Sequence, residues 1–192
     1  MRQIEIKNEN EVNNAAEITE EMKIEEMRKE EIEILVYYND INPVFKDIEY
    51  YDRYAHADFI NKICSSNFEW GEKPATTEHE TDPVRLTITL FHRPGGFLPI
   101  KISKVVEEME KFGYRPANIY ELFTVVEKYK EPGRIIALGS YYKRRKPYHL
   151  WHECEEYLTV ERKEGRKYFD FHCSFISPYL SSNHIIAAVA RG

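Results

Sequence analysis

The feature that most constrains the fold of this chain is a pair of short amphipathic stretches near its middle. Residues 103–111 place apolar side chains at helical spacing, and Gly113 follows where such a helix would end. Ser103 is the predicted N-cap of this helix. In the second stretch, residues 119–130, Asn118 and Glu121 have the spacing of a capping box. The sequence therefore predicts two helices, each with one apolar face.

Runs of strand character surround these helices. Apolar and polar residues alternate over residues 84–90, and residues 34–38, 134–142 and 185–190 are mostly apolar, which is typical of half-buried and buried strands. Residues 157–160 and 168–172 flank a segment containing Gly165 and predict a hairpin. We expect Lys143 to Lys146 to form a basic loop. The order of these elements predicts an α+β fold with its helices packed on an antiparallel sheet.

The negative charge of the chain is concentrated at its beginning. The formal net charge is −6 over 192 residues, and the excess of Glu over Lys and Arg in residues 1–33 accounts for it. We expect residues 1–33 to form an acidic arm that is partly disordered or helical, and residues 34–192 to form one domain. The sequence shows neither a secretory signal nor an apolar stretch long enough for a membrane span, which leaves the location open and is compatible with a cytoplasmic or virion-associated protein.

Residues 168–184 have an unusual composition. They contain no Lys, Glu, Gln, Met or Trp, yet they are rich in Ser, His, Asp and Asn, which are uncommon in buried strands. Tyr, Ser and Asn are typical of adaptable binding surfaces. Every residue type in this stretch can also be produced by changing the two adenines of an Asn codon. Composition alone leaves two interpretations open, a binding surface or an ordinary strand followed by an irregular loop.

The alternation at the start of this stretch separates two faces of a strand. Phe169 and Phe171 should point inward, while Tyr168, Asp170 and His172 should point outward. The predicted ligand-binding residues comprise these outward three and the polar or aromatic residues that follow them. They are Tyr168, Asp170, His172, Ser174, Phe175, Ser177, Tyr179, Ser181, Ser182, Asn183 and His184.

Several short motifs carry a family resemblance. They are residues 88–92 (Ile-Thr-Leu-Phe-His), 111–117 (Lys-Phe-Gly-Tyr-Arg-Pro-Ala), 120–122 (Tyr-Glu-Leu) and 135–140 (Ile-Ile-Ala-Leu-Gly-Ser). In this order they resemble the variable proteins of diversity-generating retroelements, of archaeal, bacterial or viral type, which have the C-type lectin fold. Many members of that family have Trp residues before the last strand, whereas this chain has none there and carries Cys173 instead.

The resemblance implies a function in ligand binding rather than catalysis. It implies a C-type-lectin-like domain over residues 34–192, whose variable segment covers about residues 148–184. This segment would recognise a macromolecular ligand, by default a protein, or a ligand on a cell surface. Retroelements of this kind mutate adenines, which agrees with the codon pattern above. The calcium-binding motifs of sugar-binding lectins do not occur in the sequence, so we expect neither calcium nor another cofactor.

Three other interpretations compete with ligand binding. The first is a zinc site that would combine His149, His152 and Cys154 with His172, Cys173 or His184. The spacing of these residues matches no standard zinc module. Formylglycine-generating enzymes share the C-type lectin fold and depend on cysteine, for which Cys154 and Cys173 are the candidates, but fold analogy alone does not establish function. The basic residues 143–146 suggest phosphate contacts, whereas the acidic net charge disfavours nucleic-acid binding.

Overall fold

The computed structural model describes residues 24–38, 49–50, 61–72, 82–93, 99–144, 154–174 and 178–191. Within these ranges, two ten-residue helices pack on a large sheet, which confirms the predicted α+β class. The helices are α1 (Ile102–Lys111) and α2 (Ile119–Lys128). The strands are β1 (Arg28–Val36), β2 (Glu49–Tyr50), β3 (Phe68–Glu69), β4 (Val84–His92), β5 (Ile100–Lys101), β6 (Tyr114–Pro116), β7 (Gly133–Arg144), β8 (Cys154–Lys163), β9 (Arg166–Cys173), β10 (Tyr179–Leu180) and β11 (His184–Ala190).

The main sheet has the strand order β1-β4-β11-β7-β8-β9-β2, with β3 paired to β7 and β6 paired to β11. The short strands β5 and β10 pair separately. Most pairs in this sheet are antiparallel, as predicted, but two depart from the prediction: β11 runs parallel to β7 and β2 runs parallel to β9. Strand β11 follows β9 and β10 in the chain and lies between β4 and β7. It runs in the same direction as β7, and strands paired in the same direction need a long connection between them, which the intervening residues provide.

The two helices cover opposite faces of the sheet. On one face, Leu122 and Phe123 of α2 pack in the same cluster as Ile135. On the other face, Met109 of α1 packs in a second cluster with Ile136. Successive residues of a strand point to opposite faces, so β7 contributes to both clusters. The same holds for β11, whose first six residues are all buried, and this explains why it reads as a continuous apolar run.

The predicted hairpin is confirmed as β8 and β9. Its turn consists of Glu164 and Gly165, with φ angles of 53° and 78°. Positive φ at both central residues is the geometry of a two-residue type I′ turn, which fits the twist of the flanking strands. The turn fixes the register that places Asp170 opposite Thr159 and His172 opposite Tyr157.

Strand β1 extends into the segment that the sequence analysis assigned to the acidic arm. The prediction for residues 28–33 is therefore corrected, because they pair with β4 in register from Arg28 to Val36. Along this strand, Glu31 and Glu33 are exposed, whereas Ile34 and Val36 are buried. The Glu-rich composition masks this alternation. Residues 1–23 lie outside the described part of the chain.

Two predicted boundaries also differ from the structure. Ser103 is not the N-cap of α1, because the helix begins at Ile102 directly after β5, and the Ile102 N–H donates to the Pro178 carbonyl oxygen (2.9 Å) instead of to a capping side chain. The predicted basic loop begins within β7, since Lys143 and Arg144 belong to that strand. Lys143 Nζ bonds Glu69 Oε1 at 3.0 Å. Residues 145 and 146 lie outside the described ranges.

Two of the motifs noted in the sequence contact each other at the start of α2. Gly139 N–H donates to the carbonyl oxygen of Ala117 (2.9 Å), and a Cβ on Gly139 would lie 2.7 Å from that oxygen. Ser140 Oγ accepts the N–H of Ile119 (2.9 Å). The predicted capping box of Asn118 with Glu121 is present. The close approach leaves no room for a side chain at residue 139.

Candidate binding surface

Strand β9 separates core and outward residues as the sequence predicts. Phe169 is buried and packs against Phe123 of α2, with 5.1 Å between ring centroids. Phe171 is only half-buried, and its ring lies 4.5 Å below the ammonium nitrogen of Lys62. On the opposite face, Asp170 is exposed while Tyr168 and His172 are half-buried. The outward residues of β9 are therefore held by a strand whose other face is part of the core.

A second group of predicted residues lies between the start of β10 and the start of β11. Tyr179 is 40% exposed and Asn183 is exposed, while Ser181 and Ser182 are half-buried. Buried Leu180 anchors this segment, because its carbonyl oxygen accepts a hydrogen bond from Arg93 Nη1 (2.7 Å) and it pairs with Ile100 of β5. The segment is thus attached to the cluster beneath α1.

The two groups meet through a pair of histidines. The rings of His172 and His184 make an edge-to-face contact with 5.2 Å between centroids and 77° between planes. His184 Nδ1 lies 2.9 Å from Ser181 Oγ. This contact places the end of β9 beside the residue 181–184 turn, although the two are separated in sequence. We call Tyr168, Asp170, His172, Tyr179, Ser181, Ser182 and Asn183 the candidate surface.

His184 departs from the prediction that it is an exposed ligand contact. Its side chain is buried, with 4% of its surface accessible, because it starts the central strand β11 and lies under the 181–184 turn. Burial, followed by the charges of His172 and Arg134, lowers its pKa to about 4. His184 is therefore neutral near pH 7 and supports the candidate surface from below.

The remaining predicted residues fall outside this surface or outside the described ranges. Ser174 continues the hairpin, since its N–H donates to the Glu155 carbonyl oxygen (2.8 Å) and its Oγ accepts the Glu155 N–H (3.2 Å). Phe175 and Ser177 lie outside the described residues. The structure therefore brings together part of the predicted set, from β9 and from the 181–184 turn.

The sequence analysis did not identify two arginines that frame the surface. Arg93 is buried directly after β4 and holds Leu180. Arg134 of β7 bonds Glu161 through Nη2 and Oε2 (2.7 Å), and Glu161 pairs with Tyr168. In the sequence, each arginine stands at one end of an apolar segment, and this position was the only indication that it lies near a site. Their proximity to the candidate surface depends on the order of the strands.

The metal and cysteine interpretations depend in part on residues outside the described ranges. Among the described residues, no group of three or more His, Cys, Asp or Glu side chains could hold a metal ion. His149 and His152 lie outside those residues. The register of β8 and β9 pairs Cys173 with Glu156 rather than with Cys154.

Comparison with known proteins adds no family assignment: the chain matches no protein-family model, and neither curated sequences nor solved structures give a match. In the part of the chain that the structure describes, no helix is long and apolar enough to cross a membrane.

Proposed function

We propose that the candidate surface binds a macromolecular ligand, by default a protein, and that its residues are the ones varied to change ligand choice. The observation that carries this proposal is the separation of roles along β9. Phe169 packs in the core, while Asp170 is exposed on the opposite face. Substitutions on the outward face therefore leave the core contacts of the strand in place.

The proposal includes a C-type lectin fold diversified by a retroelement. It is supported by the order of β4, two helices, β7 and a final apolar strand, and by the contacts between residues 116–119 and 139–140. It is also supported by the codon pattern of residues 168–184. Tyr179, Ser182 and Asn183 offer contact area together with short hydrogen-bonding groups, a combination suited to varied ligands.

A serine-nucleophile interpretation fits the described residues less well. Ser181 and His184 are within hydrogen-bond distance, but Ser181 Oγ also bonds Asn183 Oδ1. The other ring nitrogen of His184 has no hydrogen-bond partner among the described residues, so no acid orients the ring as in a catalytic triad.

The first experiment tests whether the surface tolerates substitution. We expect the triple variant Tyr168→Ser, Asp170→Asn, Tyr179→Asp to lose no more than about 1.5 kcal/mol of unfolding free energy, at about 0.5 kcal/mol for each surface change. The control Phe169→Ala should lose about 3 kcal/mol or more, because it leaves a cavity against Phe123. Denaturant unfolding measures both losses. A triple variant less stable than Phe169→Ala would show that the outward face is structural.

The second experiment tests binding directly. One display library randomises Tyr168, Asp170, Tyr179, Ser182 and Asn183, and a matched library randomises five exposed positions of α1, namely Ser103, Lys104, Glu107, Glu110 and Lys111. Both are selected against the same panel of purified proteins. We expect specific binders from the first library at much higher frequency, and equal yields would contradict the proposal.

The retroelement origin is tested by sequencing the flanking DNA for a near-copy of the 3′ coding region that differs at adenines.

A further inference from the structure

The buried ring of His184 lies at the junction of the two parts of the candidate surface. It begins β11 and lies under the turn formed by residues 181–184. Its backbone N–H donates to the Ser181 carbonyl oxygen (3.2 Å), and its ring contacts the ring of His172. Any change in this ring therefore acts directly on the turn.

The hydrogen bonds of the turn determine which ring nitrogen carries the proton. Ser181 Oγ is bonded both to Asn183 Oδ1 and to His184 Nδ1. A hydroxyl has one proton, and the amide oxygen of Asn183 can only accept, so Ser181 donates to Asn183. Nδ1–H of His184 then donates to Ser181 Oγ, and Nε2 carries no proton. Nε2 is buried and has no hydrogen-bond partner among the described residues.

A proton added at Nε2 would enter a cationic environment. The charged groups that act on His184 are Arg134 from β7, Arg93 after β4 and, when protonated, His172 from β9. The carboxylate of Glu161 on β8 is paired with Arg134. Asp170 on β9 is exposed, and its Oδ1 accepts the N–H of Phe171 (2.8 Å). No carboxylate of the described residues bonds Nε2.

We propose that protonation of His184 at Nε2 favours an open form of the 181–184 turn, in which the two parts of the candidate surface separate, so that this form gains population in mildly acidic solution. A buried imidazolium with no acceptor is costly, and the ring relieves this cost by moving into water. The start of β11 and the turn would move, whereas Leu180 stays held by Arg93 and β5. The effect on ligand binding rests on the proposed function, but the opening does not.

The pH window follows from the two states of the ring. In the closed turn, burial and then the charges of His172 and Arg134 lower the pKa of His184 to about 4, and in the open turn it returns toward its usual 6.5. The open state therefore binds the proton more tightly and gains population as the pH falls from 6.5 to 4. Between pH 7.5 and pH 5, the ratio of open to closed turn should rise by about 30-fold.

Amide hydrogen exchange in the full-length protein without ligand tests the proposal. The protection factor of the His184 amide should fall by about 30-fold from pH 7.5 to pH 5. At both pH values it should stay well below the protection factor of Ala187, further along β11, because the turn opens locally whereas Ala187 exchanges only through global unfolding. In His184→Phe, which keeps an aromatic ring that cannot titrate, the residue 184 amide should show no such fall. The matched control His172→Phe should retain it.

Three results would overturn the proposal. The first is unchanged protection of the His184 amide in the wild type, and the second is the same fall in His184→Phe. The third is a His184 ring that titrates near pH 6.5 in NMR spectra of the wild type while the turn stays closed, because the pKa difference that drives opening would then be absent. This titration also decides the matter if His184→Phe fails to fold. None of these measurements uses a ligand, so failure of the display experiment and failure of the switch are separate outcomes.

Discussion

At the scale of single residues, Glu121 shows how one side chain connects three elements. Its carboxylate accepts the N–H of Asn118 (2.8 Å), two hydrogen bonds from Arg115 (2.6 and 3.0 Å) and the hydroxyl of Tyr38 (2.5 Å). All four side chains are buried. The sequence predicted the capping box between Asn118 and Glu121. It did not predict Arg115 and Tyr38 as partners, because Arg115 lies in β6 and Tyr38 lies in the turn that follows β1.

Replacing Glu121 by Gln should be strongly destabilising. The variant removes the counter-charge of Arg115 in a buried site, so we expect a loss of about 3 kcal/mol or more. Glu161→Gln is the matched control, because it breaks a half-exposed ion pair with Arg134 and should cost less than about 1 kcal/mol. Denaturant unfolding measures both changes. Equal losses would mean that the pair of Glu121 and Arg115 is worth no more than a surface ion pair.

At the scale of elements, β1 is the clearest difference from the sequence analysis. Charged residues occupy its exposed positions, so its composition resembles that of a solvated arm, and only its pairing with β4 identifies it as a strand. Strand β9 is the opposite case. Its alternation is visible in the sequence, and the structure places Phe169 and Asp170 on the predicted faces.

Two truncations distinguish the arm from the strand. Removing residues 1–18 should leave cooperative thermal unfolding and its midpoint nearly unchanged, since this stretch has too few apolar residues to form core. Removing residues 1–33 deletes the larger part of β1 and its pairing with β4, and leaves Ile34 and Val36 poorly held. We expect the second truncation to lose cooperative unfolding or to melt at a much lower temperature. The same midpoint for both would argue against a structural role for β1.

At the scale of the whole molecule, the centre of the sheet is formed by the last strand in sequence. β11 lies between β4 and β7 and also pairs with β6. In the described part of the sheet, β1 pairs with β4 alone. In the described sheet, β11 is therefore a central strand and β1 an edge strand.

Native-state hydrogen exchange should reflect this arrangement. We expect the amides of Ile186 and Ala187 to exchange only through global unfolding, because they lie on a strand buried on both faces. The β1 amides that bond to β4 should exchange at least about 10-fold faster, because an edge strand opens locally. Equal protection of the two strands would mean that the sheet opens as one unit and that β1 is not its weak edge.

The sequence by itself determined the features that depend on local spacing. The two helices, the capping box, the β8–β9 hairpin and the two faces of β9 all follow from periodicity or turn chemistry within short windows. Only the tertiary structure decided which of these elements meet. The parallel entry of β11, the burial of His184 and its contact with His172 depend on strand order, which joins residues far apart in sequence. Local patterns record which side of an element is apolar, but they do not record what packs against it, and this partner decides whether a polar side chain is exposed or buried.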